Sequence, residues 1–229
     1  MKIFSTNTCY VPQNLQSIMD SKLEVPAEQG GMTNMQVEHI WHSIEQLYRT
    51  GNYPLISVCL RRKGHIILNR SLGYAQGNST HGLAKNALIA NTNTPICLFS
   101  ASKMITAMLV HMLDEMGEIN LLDPISYYIP EYAQNGKRRA TIFHLLSHRG
   151  GIPRIEMEVT PELLFDREQI LQHLCAAKPI TAAGSHLAYH AVTAGYILGE
   201  LIERVTGQDI RQLLHQHIEK PMDMDYFNY

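Results

Sequence analysis

The chain has 229 residues, 45% hydrophobic and 17% charged, the balance of a globular protein with enough apolar side chains for a real core. Its formal net charge of -2 supplies no electrostatic reason for a nucleic-acid or anionic-membrane partner. No apolar run is long enough to span a bilayer, and the opening MKIFSTNTCYVPQNLQ has no continuous apolar stretch behind its lysine, so neither a membrane helix nor a secretory leader is expected.

Residues 12 to 20 are expected to form a short helix with Leu15, Ile18 and Met19 on one face. VPAEQGGMTN reads as a connection. Thr33 to Gln36 has the form of a capping box, and Val37, Ile40, Trp41, Ile44, Leu47 and Tyr48 give the helix behind it one apolar face. TGNYP ends it. LISVCLR and HIILNRSLGYA then read as strands joined through a tight RKG turn. A lone hairpin is unstable in water, so this pair requires further strands or a helix to lie on.

From residue 85 onward the pattern is mostly helical. Met104, Ile105, Met108, Leu109, Met112, Leu113 and Met116 recur at a helical period, read as core packing, with Gly117 as the stop. Residues 118 to 139 form an ordered connection. Thr141 caps a short helix over IFHLLSH that ends at RGGIP. Asp166 opens a helix through Cys175, a longer one runs from about residue 190 to Gly207, and Asp209 caps a last one through His217. Cys9, Cys59, Cys97 and Cys175 are widely spaced, fit no C-x-x-C pattern, and read as buried free thiols in a reducing cytoplasm.

Chemistry concentrates at LFSASKM. Ser100 and Lys103 stand one helical turn apart, so both project from one face of a helix starting near residue 100. A serine hydroxyl needs an adjacent base to become a nucleophile. A lysine serves when burial and the helix dipole lower its pKa. Unpaired amides at the helix start can polarise a substrate carbonyl. Yet roughly one S-x-x-K match arises by chance in a chain this long. On spacing alone, Ser100 as an ordinary N-cap and Lys103 as a solvated side chain remains open. The pairs His144 with His148 and His39 with His42 have metal-compatible spacings, but no H-E-x-x-H completes them and no metal is expected.

The blocks FSASKMITAMLVHMLDEMGEINLLDPISYYIPEY, TIFHLLSHRGGIP and YHAVTAGYILGELIERVTG occur in one order at sensible separations. Together they resemble the serine β-lactamase and penicillin-binding-protein superfamily, in its class C-like branch of β-lactamases, D-alanyl-D-alanine peptidases and carboxylesterases. The resemblance runs from about residue 54 to the end. It implies an α+β, β-lactamase/transpeptidase-like fold, a helical domain beside an antiparallel sheet. Residues 1–53 would be an N-terminal extension with the first packing helix, 54–84 the opening hairpin, and 85–229 the helical part of one incomplete catalytic domain.

It further implies that Ser100 is acylated, that Lys103 is its proton partner, and that Tyr189, matching the tyrosine of a Y-x-N motif, shuttles the proton. His190 and Ala191 would border the substrate. Ala191 replaces the motif's asparagine, which points toward small carboxylic esters ahead of β-lactams or D-alanyl peptides. The family's K-T-G or H-x-G strand is absent. The closing sheet strands and second oxyanion donor are therefore expected to be missing, and turnover by these 229 residues to be slow. No cofactor is implied; the expected partner is a small ester or amide. A homologue that only binds a ligand is the competing expectation.

Overall fold

The computed structural model describes residues 8–156 and 160–229, and the chain divides into two compact units, Met1–Ile96 and Cys97–Tyr229. The fold is α+β, with an antiparallel sheet in the first unit and helices in the second.

In the first unit the sheet is organised around one long strand. β1 (Met19–Ser21) and β2 (Leu55–Arg62) flank the first part of β3 (His65–Ser79), and β4 (Gly82–Ile89) pairs with its second part, all antiparallel. Lys63 and Gly64 both have positive φ, 51° and 82°, the backbone that a two-residue hairpin turn demands. Helix α1 (Asn34–Arg49) starts at the Thr33 capping box and buries Val37, Trp41 and Tyr48 in one cluster with Ile67, Leu68 and Leu72 of β3. That helix and the added strands supply the support the hairpin requires.

Two expectations change here. Leu15–Ile18 forms one 3-10 turn instead of a helix to residue 20, because Met19 and Asp20 leave it to pair with β3. The stretch 85–89, where the helical pattern is expected to begin, belongs instead to the strand Gly82–Ile89. Its sequence GLAKNALI lacks β-branched residues except its last, and it is exposed along almost its whole length. Pairing with β3 decides its conformation, and propensity gives way.

In the second unit, α2 (Ser102–Glu115) and α6 (Thr193–Thr206) supply Leu109, Val110, Leu113, Ile197, Leu201 and Ile202 to a single core. The helices α3 (Ile125–Tyr128), α4 (Ile142–Leu146), α5 (Arg167–Ala176) and α7 (Ile210–Leu214) close round it. Thr141, Asp166 and Asp209 cap α4, α5 and α7, and Gly207 ends α6, as their spacing predicts. Among the described residues no strand follows Ile89.

The methionine stripe is not core throughout. Met104, Met108 and Met116 are exposed, while Leu109, Val110 and Leu113 face inward. Period places these residues on a helix but does not say which side is covered. The cysteines also differ from expectation: only Cys175 is buried, Cys9 is half-buried, and Cys59 and Cys97 are exposed. Among the described residues no helix is long and apolar enough to cross a membrane.

Candidate active site

Ser100 lies in a 3-10 turn, Phe99–Ala101, that leads directly into α2. Phe99 has φ 47°, a left-handed conformation that costs a non-glycine residue about 1 kcal/mol or more. Its carbonyl is held from the far side by the Ser102 hydroxyl at 2.6 Å and by the Ser102 amide. The cap positions of this turn and of α2 are Leu98 and Ala101, and neither uses a side chain. The Ser100 hydroxyl is therefore not spent on capping. Lys103 Nζ instead donates to Ser100 Oγ at 3.3 Å. The Ala101 amide bonds the Leu98 carbonyl, leaving the Ser100 N–H without a main-chain partner among the described residues.

Tyr189 reaches this pair from the loop before α6. Lys103 Nζ sits 5.2 Å from the centre of its ring. Interaction of its phenol oxygen with Ser100 first and Lys103 second holds the phenol pKa below the usual tyrosine range. The half-exposed phenol thus faces both groups across separations of 86 and 89 residues in sequence.

The block TIFHLLSHRGGIP, which carries no catalytic motif of its own, acts as the mount for Tyr189. Helix α4 ends in a Schellman turn: the His148 amide bonds the Leu145 carbonyl and the Arg149 amide the His144 carbonyl. From that turn the His148 carbonyl accepts the Ala188 N–H at 2.9 Å, and His148 Nδ1 accepts the His190 N–H at 3.2 Å. Both neighbours of Tyr189 are tied down. The Ile152 carbonyl also accepts the Thr193 hydroxyl at 2.6 Å, at the start of α6. Gly151 (φ 86°) permits this fit, because a Cβ there would lie 2.4 Å from the Thr181 carbonyl.

His190 is 1% exposed. Its Nδ1 is 2.6 Å from the Ala188 carbonyl and its Nε2 accepts the Ile152 N–H at 3.2 Å, so the ring is neutral with its proton on Nδ1. Burial holds its pKa below the ordinary imidazole value. Both ring nitrogens are occupied by backbone, and the side chain faces the interior instead of Ser100. Ala191 is exposed and lines a cleft of about 460 Å³ beside Lys103, together with Thr106, Gly195 and Tyr229. The Tyr229 and Thr106 hydroxyls are 2.7 Å apart in that cleft.

The structure thus brings together Ser100, Lys103 and Tyr189, sets Ala191 in the cleft that Lys103 lines, and buries His190. His148 is the residue that sequence reading passed over. Its ring meets that of Tyr189 in a T-shaped contact at 4.8 Å between centroids, and its sequence signal, the spacing from His144, points to a metal instead. Among the described residues no three metal-ligating side chains cluster, and His144 Nδ1 accepts the Thr141 amide of its own capping box. Chemically, the arrangement offers a hydroxyl, a cation and a phenol able to exchange one proton, beside an amide at a helix start.

The profile of the family described as Beta-lactamase matches residues 40–228. The Esterase/beta-lactamase LipL of Mycobacterium tuberculosis is 34% identical over 128 residues, 56% of this chain and 29% of that protein. A solved family VIII carboxylesterase superposes with a TM-score of 0.73 and 26% identity, over 89% of this chain and 51% of its own. A penicillin-binding protein homologue from Caulobacter crescentus gives 0.70 and 28%, over 78% and 46%. The chain spans about half the length of both solved relatives, and less of the first.

Proposed function

The chain belongs to the beta-lactamase family, within the serine β-lactamase and penicillin-binding-protein superfamily, and from that premise we propose that it is a serine hydrolase acting through an acyl-serine on Ser100. The observation that carries this reading is the Lys103 Nζ to Ser100 Oγ contact of 3.3 Å with the Tyr189 ring centred 5.2 Å from the same Nζ. Tyr189, ionised next to the Lys103 ammonium, takes the Ser100 proton while Oγ bonds to the substrate carbonyl carbon. The carbonyl electron pair moves to oxygen, near the Ser100 N–H. On collapse, the bond to the leaving alkoxide breaks and Tyr189 gives it the same proton. A water then passes a proton to Tyr189, attacks the acyl carbon, and releases Ser100 with that proton. Such positioned proton transfer contributes about 10²- to 10⁴-fold to rate.

Small carboxylic esters are the proposed substrates. Where a Y-x-N motif would place an amide, Ala191 presents only a methyl group to the cleft, so nothing at that position holds the acylamide arm of a β-lactam or D-alanyl peptide. An esterase/β-lactamase and a carboxylesterase among the relatives support the same choice. A second reading, a homologue that binds such molecules without turning them over, draws on one observation. Among the described residues of Cys97–Tyr229 no strand offers a second amide to the oxyanion. Hydrolysis of p-nitrophenyl acetate separates the two. The enzyme reading expects turnover that Ser100→Ala abolishes, with kcat/KM at least about tenfold above that for a chromogenic cephalosporin. Turnover unchanged in Ser100→Ala would overturn it.

A further inference from the structure

We propose that His148 is a positioning residue for Tyr189, and that its neutral imidazole, together with that of His190, forms a bracket that acid opens. The inference deepens the proposed acyl-serine chemistry, whose proton carrier is Tyr189. Three geometric facts carry it. First, the residues on either side of Tyr189 are both fastened through His148: the Ala188 amide to its carbonyl and the His190 amide to its Nδ1. An Nδ1 that accepts a hydrogen bond has its proton on Nε2. Second, the His148 and His190 rings stack at 5.9 Å, and the His148 and Tyr189 rings meet in a T-shaped contact at 4.8 Å. The His190 ring closes the loop by bonding Ala188 and Ile152. Third, His148 occupies the C′ position of a Schellman turn with φ 58°. Glycine is the residue that position favours, and a side chain there is strained. A histidine kept at that cost has contacts that offset it, and those contacts are to Tyr189 and its neighbour.

The cations around the bracket oppose a proton on it, and the negative charge of the ionised Tyr189 phenol is matched by the Lys103 ammonium over its ring. Lys103 of α2 lies over the Tyr189 ring that packs on His148, Tyr189 and His190 approach from the loop before α6, and His144 and Arg149 flank it on its own segment. Among the described residues neither ring pairs with a carboxylate. Burial and the Lys103 charge lower the His148 pKa, in agreement with this geometry. Protonating His148 at Nδ1 would turn the acceptor of the His190 amide into a donor. The bond is lost, and a second cation appears next to Lys103.

The test combines two readouts on the folded protein. One is the rate at which a fluorophosphonate labels Ser100 across pH 5 to 8; the other is the NMR titration of the His148 and Tyr189 ring signals. The expected result is a His148 midpoint below about 6.5, Tyr189 ring signals that shift at that same midpoint, and labelling that falls with them. His148→Gly relieves the left-handed backbone, so its unfolding temperature should hold or rise while labelling drops at least about tenfold. His148→Asn tolerates the backbone and offers an accepting oxygen; it should recover part of that loss, and its Tyr189 signals should lack the inflection. Tyr189 signals indifferent to the His148 titration, or full labelling by His148→Gly, would overturn the bracket. Coupled signals with no labelling of Ser100 at any pH would support the bracket and reject the acyl chemistry instead.

Discussion

Tyr189 and His190 are adjacent in sequence and opposite in environment: one phenol half-exposed beside Lys103, one imidazole with both nitrogens given to backbone. Their substitutions should separate accordingly. Tyr189→Phe removes only the hydroxyl proposed to carry the proton, so acylation of Ser100 is expected to slow at least about 100-fold, with stability within about 0.5 kcal/mol of the parent in urea titration. His190→Ala strands the buried Ile152 amide, and unfolding should become easier by about 2 kcal/mol. The Ser–Lys spacing was legible in the sequence, and the matching blocks singled out Tyr189. His148 was not, because its partners lie about forty residues away and no local pattern encodes a contact made by the fold.

Among the elements, the caps were read most reliably, since a capping box is a bond between residues three apart. Thr33 and Asp209 bond the N3 amide and receive the N3 side chain in return. Thr141 does the same with His144 in place of the usual glutamine or glutamate. Thr141→Ala is expected to cost about 1 kcal/mol, read as a lower urea midpoint, since it frays the helix on which the Tyr189 mount is built. Gly151→Ala should cost more than that, because the backbone is left-handed and the new methyl meets the Thr181 carbonyl. Elements whose state depends on a partner were less legible. The strand β4 has an exposed, propensity-poor sequence settled by pairing with β3. The exposed side of α2, with Met104, Met108 and Met116, has the same period as its buried side.

For the whole molecule, the titrating groups predict how stability follows pH. His148 and His190 bind protons less readily folded than unfolded. The unfolded chain therefore takes up protons that the folded one excludes. Their contribution is complete above about pH 6.5 and is lost as pH falls below it. Glu38 and Glu131, hydrogen-bonded to Arg70 and Arg204, have pKa values below the ordinary carboxylate range. Their contribution is present above about pH 4.3 and disappears only in stronger acid. Thermal unfolding is thus expected to show a first decline between pH 7 and 5, and His148→Asn should reduce that first step while leaving the second. The fold, the cleft and the mounted tyrosine all serve one claim, that Ser100 is a nucleophile. Mass spectrometry of the folded protein after incubation with a fluorophosphonate tests it most directly. One adduct is expected, on the peptide carrying Ser100, absent in Ser100→Ala and slowed in Tyr189→Phe; no adduct on Ser100, or one that forms equally fast without the Tyr189 hydroxyl, would contradict a nucleophilic Ser100 served by Tyr189.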